Sequence, residues 1–99
     1  MWVEKVEKVI PCISDPWKVR VIAYLNHAPA NLCDLAEVLG ARYSPNLGVA
    51  MLRLGRREVN IFSSGKVSVR EVDDEAEARR LVNGLLGLYE HKKMLADEL

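Results

Sequence analysis

The residues of this chain that could act as nucleophiles or metal ligands are few and scattered. Its two cysteines are Cys12 and Cys33, and its two histidines are His27 and His91. A structural zinc site needs four such ligands in clustered spacing, which these residues do not provide. For His27 and Cys33, around a predicted helix start, a partly buried thiol and a surface imidazole are a simpler interpretation than a catalytic pair. The sequence predicts no metal site, no cofactor and no catalytic residue.

One short segment has the residue types of a phosphate-binding loop. Ser63, Ser64, Gly65 and Lys66 follow one another, but no glycine precedes them at the spacing that such a loop requires. The segment also joins two predicted strands, whereas a phosphate-binding loop opens a helix. We therefore interpret it as a hairpin turn, and the sequence predicts that the protein is not an enzyme.

The strongest pattern with chemical meaning is an alternation that places cations and aromatic groups on one face of a predicted sheet. Side chains alternate between the two faces of a strand, so burying the valines on one face sends their neighbours to the other. The valines and isoleucine predicted to face the helices are Val19, Val21, Val59, Ile61, Val67 and Val69. The candidate binding residues of the sheet are Lys18, Arg20, Ile22, Tyr24, Arg53, Asn60, Phe62, Lys66, Ser68 and Arg70. Such a mixture can hold phosphates and stack on bases, or contact another protein.

Four strands are predicted to carry these side chains. They cover residues 18–25, 49–54, 58–62 and 66–72, each rich in branched apolar residues. The last three are separated by segments short enough for hairpin turns, around Gly55 and Gly65. A bend is predicted at residues 43–46, between the first helix and these hairpins. The four strands are expected to form an antiparallel sheet.

Two helices complete the predicted domain. Asn31 is a predicted N-cap for a short helix that ends at Gly40, and Asp73 or Asp74 is expected to cap a longer one. The apolar stripe predicted to face the sheet in the long helix is Ala78, Leu81, Val82, Leu85, Leu88 and Tyr89. Two glycines in this helix, Gly84 and Gly87, suggest close packing or a kink. The fold class is therefore α+β, with an antiparallel sheet of four to five strands and two helices on one face.

The length of 99 residues predicts a single domain. The N-terminal residues 1–16 have apolar residues at near-helical spacing but are rich in valine, so helix and strand both remain open. They end in a predicted turn at Ser14, Asp15 and Pro16. Residues 91–99 are polar and are expected to fray at the end of the long helix.

Charge is divided along the chain although the formal net charge is zero. The basic residues between positions 41 and 70 are Arg42, Arg53, Arg56, Arg57, Lys66 and Arg70, against the single acidic residue Glu58. The acidic residues between positions 71 and 90 are Glu71, Asp73, Asp74, Glu75, Glu77 and Glu90, against Arg79 and Arg80. The overall charge thus gives no general case for nucleic-acid binding, but its distribution predicts a cationic and an acidic region. No apolar run is long enough for a membrane span, and we expect a cytoplasmic protein.

Three motifs in this order resemble a single repeat of the TATA-binding-protein family, over residues 18–90. Residues 43–46, Tyr-Ser-Pro-Asn, resemble its Tyr-Asn-Pro bend, and residues 61–66, Ile-Phe-Ser-Ser-Gly-Lys, match its hairpin. Residues 74–80 resemble the acidic, alanine-rich start of its final helix. The resemblance implies the order β-α-β-β-β-α and a sheet face that binds the minor groove of DNA. Phe62 stands where the family has a wedge residue, whereas Ser68 and Arg70 replace its groove-contacting valine and threonine.

A second resemblance covers residues 43–62. This segment is similar to the N-terminal domain of certain archaeal and bacterial iron–sulfur proteins, in which a cysteine-rich cluster module follows. The chain lacks that cysteine module. The resemblance implies a stand-alone accessory domain that carries no cluster.

Together these observations predict a non-catalytic binding module that uses the open face of its sheet to contact a protein. The alternative is nucleic-acid binding, at a minor groove or to a single strand, through the same basic and aromatic face. The TATA-binding family joins its two repeats through their first strands, so we also expect a homodimer in which residues 18–25 pair with their symmetry mate. Two alternatives remain open: residues 3–10 fold back as a strand and cap this edge, or the charges of Lys18 and Arg20 keep the edge monomeric.

Overall fold

The computed structural model describes residues 1–13 and 15–98, which form one antiparallel sheet and two helices. The strands are β1 (Val3–Pro11), β2 (Val19–Leu25), β3 (Arg42–Ser44), β4 (Val49–Leu54), β5 (Arg57–Phe62) and β6 (Lys66–Val72). The helices are α1 (Leu32–Leu39) and α2 (Glu75–Glu98). The spatial order of the strands is β1-β2-β6-β5-β4-β3. The α+β class is confirmed, and the sheet has six strands where four to five were predicted.

The N-terminal segment is a strand, β1, that pairs antiparallel with β2. Its register slips twice, between Val3 and Lys5 and between Val6 and Lys8. Each slip inserts one extra residue, as in a β-bulge. The two slips let Val3, Val6 and Val9 lie opposite Leu25, Ala23 and Val21 respectively, although their spacing of three belongs to a helix. This explains why the sequence pattern left helix and strand open.

The position of β1 corrects one expectation. The predicted homodimer required an open edge on β2, but β2 lies between β1 and β6. Its backbone groups on both sides are therefore used within the chain. The symmetric pairing of β2 with a second copy is wrong for this fold, whereas the alternative, in which the N-terminal segment caps this edge as a strand, is confirmed. The predicted turn before β2 is present at Asp15, whose carbonyl accepts a hydrogen bond from the Lys18 amide at 3.1 Å, while Ser14 lies outside the described residues.

Helix α1 has the predicted ends. The Asn31 side chain accepts a hydrogen bond from the Asp34 amide at 3.0 Å, which satisfies one free donor of the first turn. At the other end Gly40 adopts the left-handed conformation, with φ of 70°, and the helix stops. The bend predicted after it contains the short strand β3, which pairs with β4 and was missed because three residues carry too little pattern.

Helix α2 begins after Asp74, whose carboxylate accepts a hydrogen bond from the Glu77 amide at 2.8 Å. The Glu77 carboxylate in turn accepts a hydrogen bond from the Asp73 amide at 2.9 Å, so each supports the helix start. A methyl group at Gly84 or Gly87 would meet no atom within 4 Å. Close packing therefore does not explain these glycines. The helix continues through the polar segment to Glu98, where fraying stays a prediction.

The hydrophobic core lies between the two helices and one face of the sheet. Val21, Val59, Val67 and Val69 are at most 1% exposed, which confirms the predicted inward parity of β2, β5 and β6. The α2 residues buried against them and against α1 are Ala78, Val82, Leu86 and Tyr89. Leu86 was missing from the predicted stripe, whereas Leu88, which was included, is 44% exposed. With both helices on one side, the other face of the sheet carries no helix or strand of the described chain.

Candidate binding face of the sheet

We call the side of the sheet opposite the helices the open face. Strand register assigns its residues, because side chains directly opposite each other on neighbouring strands point the same way. The open-face residues are Lys5, Lys8, Ile10, Arg20, Ile22, Tyr24, Arg42, Ser44, Val49, Met51, Arg53, Glu58, Asn60, Phe62, Lys66, Ser68 and Arg70. Nine of the ten predicted binding residues are in this set, all but Lys18.

A central row crosses all six strands of the open face. In register order its members are Lys8, Ile22, Ser68, Asn60, Met51 and Arg42. Cations therefore stand at both ends of the row, and the middle is apolar and weakly polar. Ser68 is 9% exposed, and the amide oxygen of Asn60 is buried without a hydrogen-bond partner among the described residues. The centre of the open face thus contains a polar group that the folded chain leaves unsatisfied.

A second row alternates lysine with an aromatic ring. Tyr24 lies opposite Lys5 on one side and Lys66 on the other. The Lys66 ammonium is 5.8 Å from the centroid of the Phe62 ring, within the range of a cation–π contact. A hydrogen-bonding interaction with Glu7, followed by burial, raises the pKa of the Tyr24 hydroxyl. The tyrosine therefore stays neutral across the physiological range.

A third row contains a carboxylate shared by two arginines. Glu58 Oε2 is 3.4 Å from Arg70 Nη1 and 3.9 Å from Arg53 Nη2. Opposite Arg20 the register of β6 slips, so that Arg70 and Glu71 together oppose one residue of β2. Glu71 has φ of 63°, a left-handed conformation that few non-glycine residues adopt. This bulge changes the direction of β6 beside the arginines.

Lys18 departs from the predicted site. It precedes β2, and its ammonium forms an ion pair with the Asp73 carboxylate just before α2. This hydrogen bond raises the pKa of Lys18 and lowers that of Asp73. The charge of Lys18 is therefore used at the start of the helix and is unavailable to a ligand of the open face.

The open face has an excess of positive charge. Its cations are Lys5, Lys8, Arg20, Arg42, Arg53, Lys66 and Arg70, and the carboxylates near them include Glu58, Glu7 next to Tyr24, and Glu71 in the bulge beside Arg70. Three of these cations were missed as site residues: Lys5, Lys8 and Arg42. They belong to the two edge strands, whose pairing depends on bulges or on a three-residue match that the sequence does not reveal.

The structure places the segments that were weighed for chemistry as follows. Residues 63–66 form the turn between β5 and β6, where the Gly65 amide donates to the Phe62 carbonyl at 3.0 Å. Cys33 is exposed, where a partly buried thiol was predicted, and Cys12 is half-buried. Within residues 1–13 and 15–98, no group of three or more potential ligands could hold a metal ion. No described helix combines the length and apolarity needed to cross a membrane.

No family model matches this chain, and no curated protein or solved structure shows significant similarity to it.

Proposed function

We propose that this protein is a non-catalytic binding module whose open face contacts a protein partner with an acidic surface. The single observation that carries the proposal is the composition of a six-stranded face that no described element covers. The solvent-exposed face of an antiparallel sheet ordinarily carries polar side chains. This one combines apolar and aromatic side chains with cations, of which only Arg53 and Arg70 form ion pairs among the described residues. Aromatic side chains and arginine are enriched in protein interfaces.

The apolar part of the surface lies where a partner could bury it. Ile22, Tyr24 and Phe62 are half-buried in the free chain, and Tyr24 and Phe62 flank Lys66. Aromatic residues at the centre of an interface contribute much of its binding energy when water is excluded around them. The surrounding cations favour acidic partners by charge complementarity and increase the rate of association.

Selection of peptides that bind the chain tests this proposal. A random peptide library is selected against the wild-type protein, and the resulting peptides are measured against a Tyr24→Ala/Phe62→Ala variant. We expect acidic sequences that lose roughly tenfold or more in affinity for the variant, since truncating an interface anchor commonly costs about 1–2 kcal/mol.

The matched control is Leu88→Ala, which removes a 44% exposed apolar side chain from the helix side. Its affinity should equal that of the wild type. Peptides that bind the double variant as tightly as the wild-type protein would contradict the assignment of the binding surface.

A second candidate is single-stranded nucleic acid, favoured by the alternation of Lys5, Tyr24, Lys66 and Phe62 in one row. Aromatic side chains can stack on bases while lysines contact phosphates. The resemblance to the TATA-binding family implies the same face and a duplex ligand. Titration with single-stranded and duplex oligonucleotides at low salt separates these possibilities, because each phosphate contact adds about −0.7 (single strand) or −0.9 (duplex) to the log–log salt slope. Absence of binding would leave the protein partner.

A further inference from the structure

One end of the open face contains a depression with two guanidinium groups. It has a volume of about 310 Å³ and is lined by Ile10, Pro11, Cys12, Ile13, Arg20 and Arg70. The lining residues come from the end of β1, from the segment after it, and from the facing positions of β2 and β6. None of them is acidic. The depression therefore combines an apolar wall with two positive charges.

These charges are poorly neutralised within the protein. No described residue forms a hydrogen bond or ion pair with the Arg20 side chain. Within residues 1–13 and 15–98 the Arg70 guanidinium forms one ion pair, at 3.4 Å, with the Glu58 carboxylate, which is also 3.9 Å from Arg53. Guanidinium groups form paired hydrogen bonds with oxyanions, and two of them in one depression can neutralise a doubly charged group.

The backbone beside Arg70 is held in an unfavourable conformation. The bulge puts both Arg70 and Glu71 opposite Arg20, and Glu71 adopts φ of 63°. Bulges of this kind redirect side chains and occur often beside functional sites. Few non-glycine residues adopt left-handed backbone, and such residues cluster at functional sites, so the conformation of Glu71 draws attention to this end of the open face.

We infer that this depression is a subsite for the phosphate group of a phosphate monoester, carried by a phosphorylated side chain of the protein partner. The inference rests on the proposed function and names the chemistry of the partner at one end of the open face. A monoester has a charge of about −1.5 to −2 at neutral pH, which matches two guanidinium groups. A phosphodiester has only one negative charge, and the apolar wall of Ile10 and Ile13 suits the organic part of a side chain.

The test is a titration of the full chain with small phosphates, followed by the amide shifts of residues around the depression in nuclear magnetic resonance spectra. The probes are inorganic phosphate, phenyl phosphate and dimethyl phosphate. We expect phenyl phosphate to bind most tightly and dimethyl phosphate most weakly. Binding should weaken between pH 7.5 and pH 5.5, because the second proton of phosphate titrates near pH 6.

Four variants separate a built site from general charge attraction. Arg20→Gln and Arg70→Gln should each weaken binding of phenyl phosphate by up to about fivefold. Arg80→Gln removes the same charge from an exposed position of helix α2, away from the open face, and should change it little. Glu58→Gln leaves both lining arginines in place and should strengthen binding, since it removes the carboxylate that competes for Arg70.

Each result decides the inference. Equal effects of Arg20→Gln and Arg80→Gln, or no gain in Glu58→Gln, would overturn the subsite. Equal binding of phenyl and dimethyl phosphate would also overturn it and favour a nucleic-acid backbone. If no phosphate binds but the Tyr24→Ala/Phe62→Ala variant still loses peptide binding, the subsite is excluded and the proposed function is supported. If no phosphate binds and the double variant binds peptides as tightly as the wild type, both the subsite and the proposed function are excluded.

Discussion

Replacing Asn60 with valine should make the protein more stable. Asn60 occupies the centre of β5, directly opposite Ser68 on one neighbouring strand and Met51 on the other. Its amide oxygen is buried and has no hydrogen-bond partner in the described chain. Valine has a similar size, is favoured in strands, and brings no polar group to this position.

The magnitude follows from the cost of the unsatisfied oxygen. A buried acceptor without a partner costs roughly 1–3 kcal/mol. Part of the amide remains accessible, because Asn60 is only half-buried as a residue, so we expect the lower part of that range. The Asn60→Val variant should gain about 1 kcal/mol in the free energy of unfolding, which corresponds to a rise of about 4–8 °C in Tm for a domain of this size.

Urea and thermal unfolding of the wild type and the Asn60→Val variant, followed by circular dichroism, provide the measurement. Asn60→Ala removes the same oxygen without replacing its volume, so its gain should be smaller than that of valine. A valine variant that is no more stable than the wild type would refute the reasoning and show that solvent already satisfies the amide. If stability rises while peptide affinity falls, the polar centre serves binding.

Three further measurements have definite expected results. Gly84→Ala should stabilise α2 by about 1 kcal/mol, because its methyl group meets no neighbour, whereas Gly40→Ala should destabilise the protein by about 1–2 kcal/mol through its left-handed backbone, both measured by urea unfolding. Hydrogen bonds from Lys93 and Tyr89 lower the pKa of Asp34. Their stabilising effect should be complete above the unfolded pKa of about 3.9 and be lost as pH falls through the lower folded pKa; Asp34→Asn should flatten this acid limb of the stability profile. Light scattering should give the mass of one chain, since β1 is bulged, β3 is short, and two open faces would repel each other.

The regular part of the fold could be predicted because local pattern and tertiary packing agree there. Apolar alternation correctly predicted which side chains of β2, β5 and β6 face the core. The capping residues Asn31 and Asp74 correctly predicted where α1 and α2 begin. β1 could not be assigned from the sequence, because its two bulges allow valines that are three residues apart to lie on the same face of a strand. A bulge depends on the partner strand, and the sequence of one strand alone does not contain that information.

The site was predictable to the same extent as the strands that form it. Arg20, Phe62 and Arg70 lie on the open face as their parity requires. Lys18 does not lie on the open face, because it precedes β2 and its side chain forms an ion pair with Asp73. The cations of the edge strands could be assigned to the face only once the order of the strands was known. Depressions and bulges, including the one beside Arg70, are tertiary features with no local signal.

The division of charge along the sequence becomes a division between the two layers of the fold. The basic segment of residues 41–70 forms β3 to β6, and the acidic segment that follows forms the start of α2. On the helix side several charges are paired, with Glu77 bonded to Arg57 and Asp73 to Lys18. On the open face Arg53 and Arg70 share Glu58, and the other cations form no ion pair within the described part of the chain. A net charge of zero thus conceals a face with an excess of positive charge, which would attract an acidic or phosphorylated partner over roughly one Debye length, about 8–10 Å at physiological salt. Association through this face should therefore slow as the salt concentration increases, whereas the unfolding free energy, which depends on the paired side and on the core, should change much less.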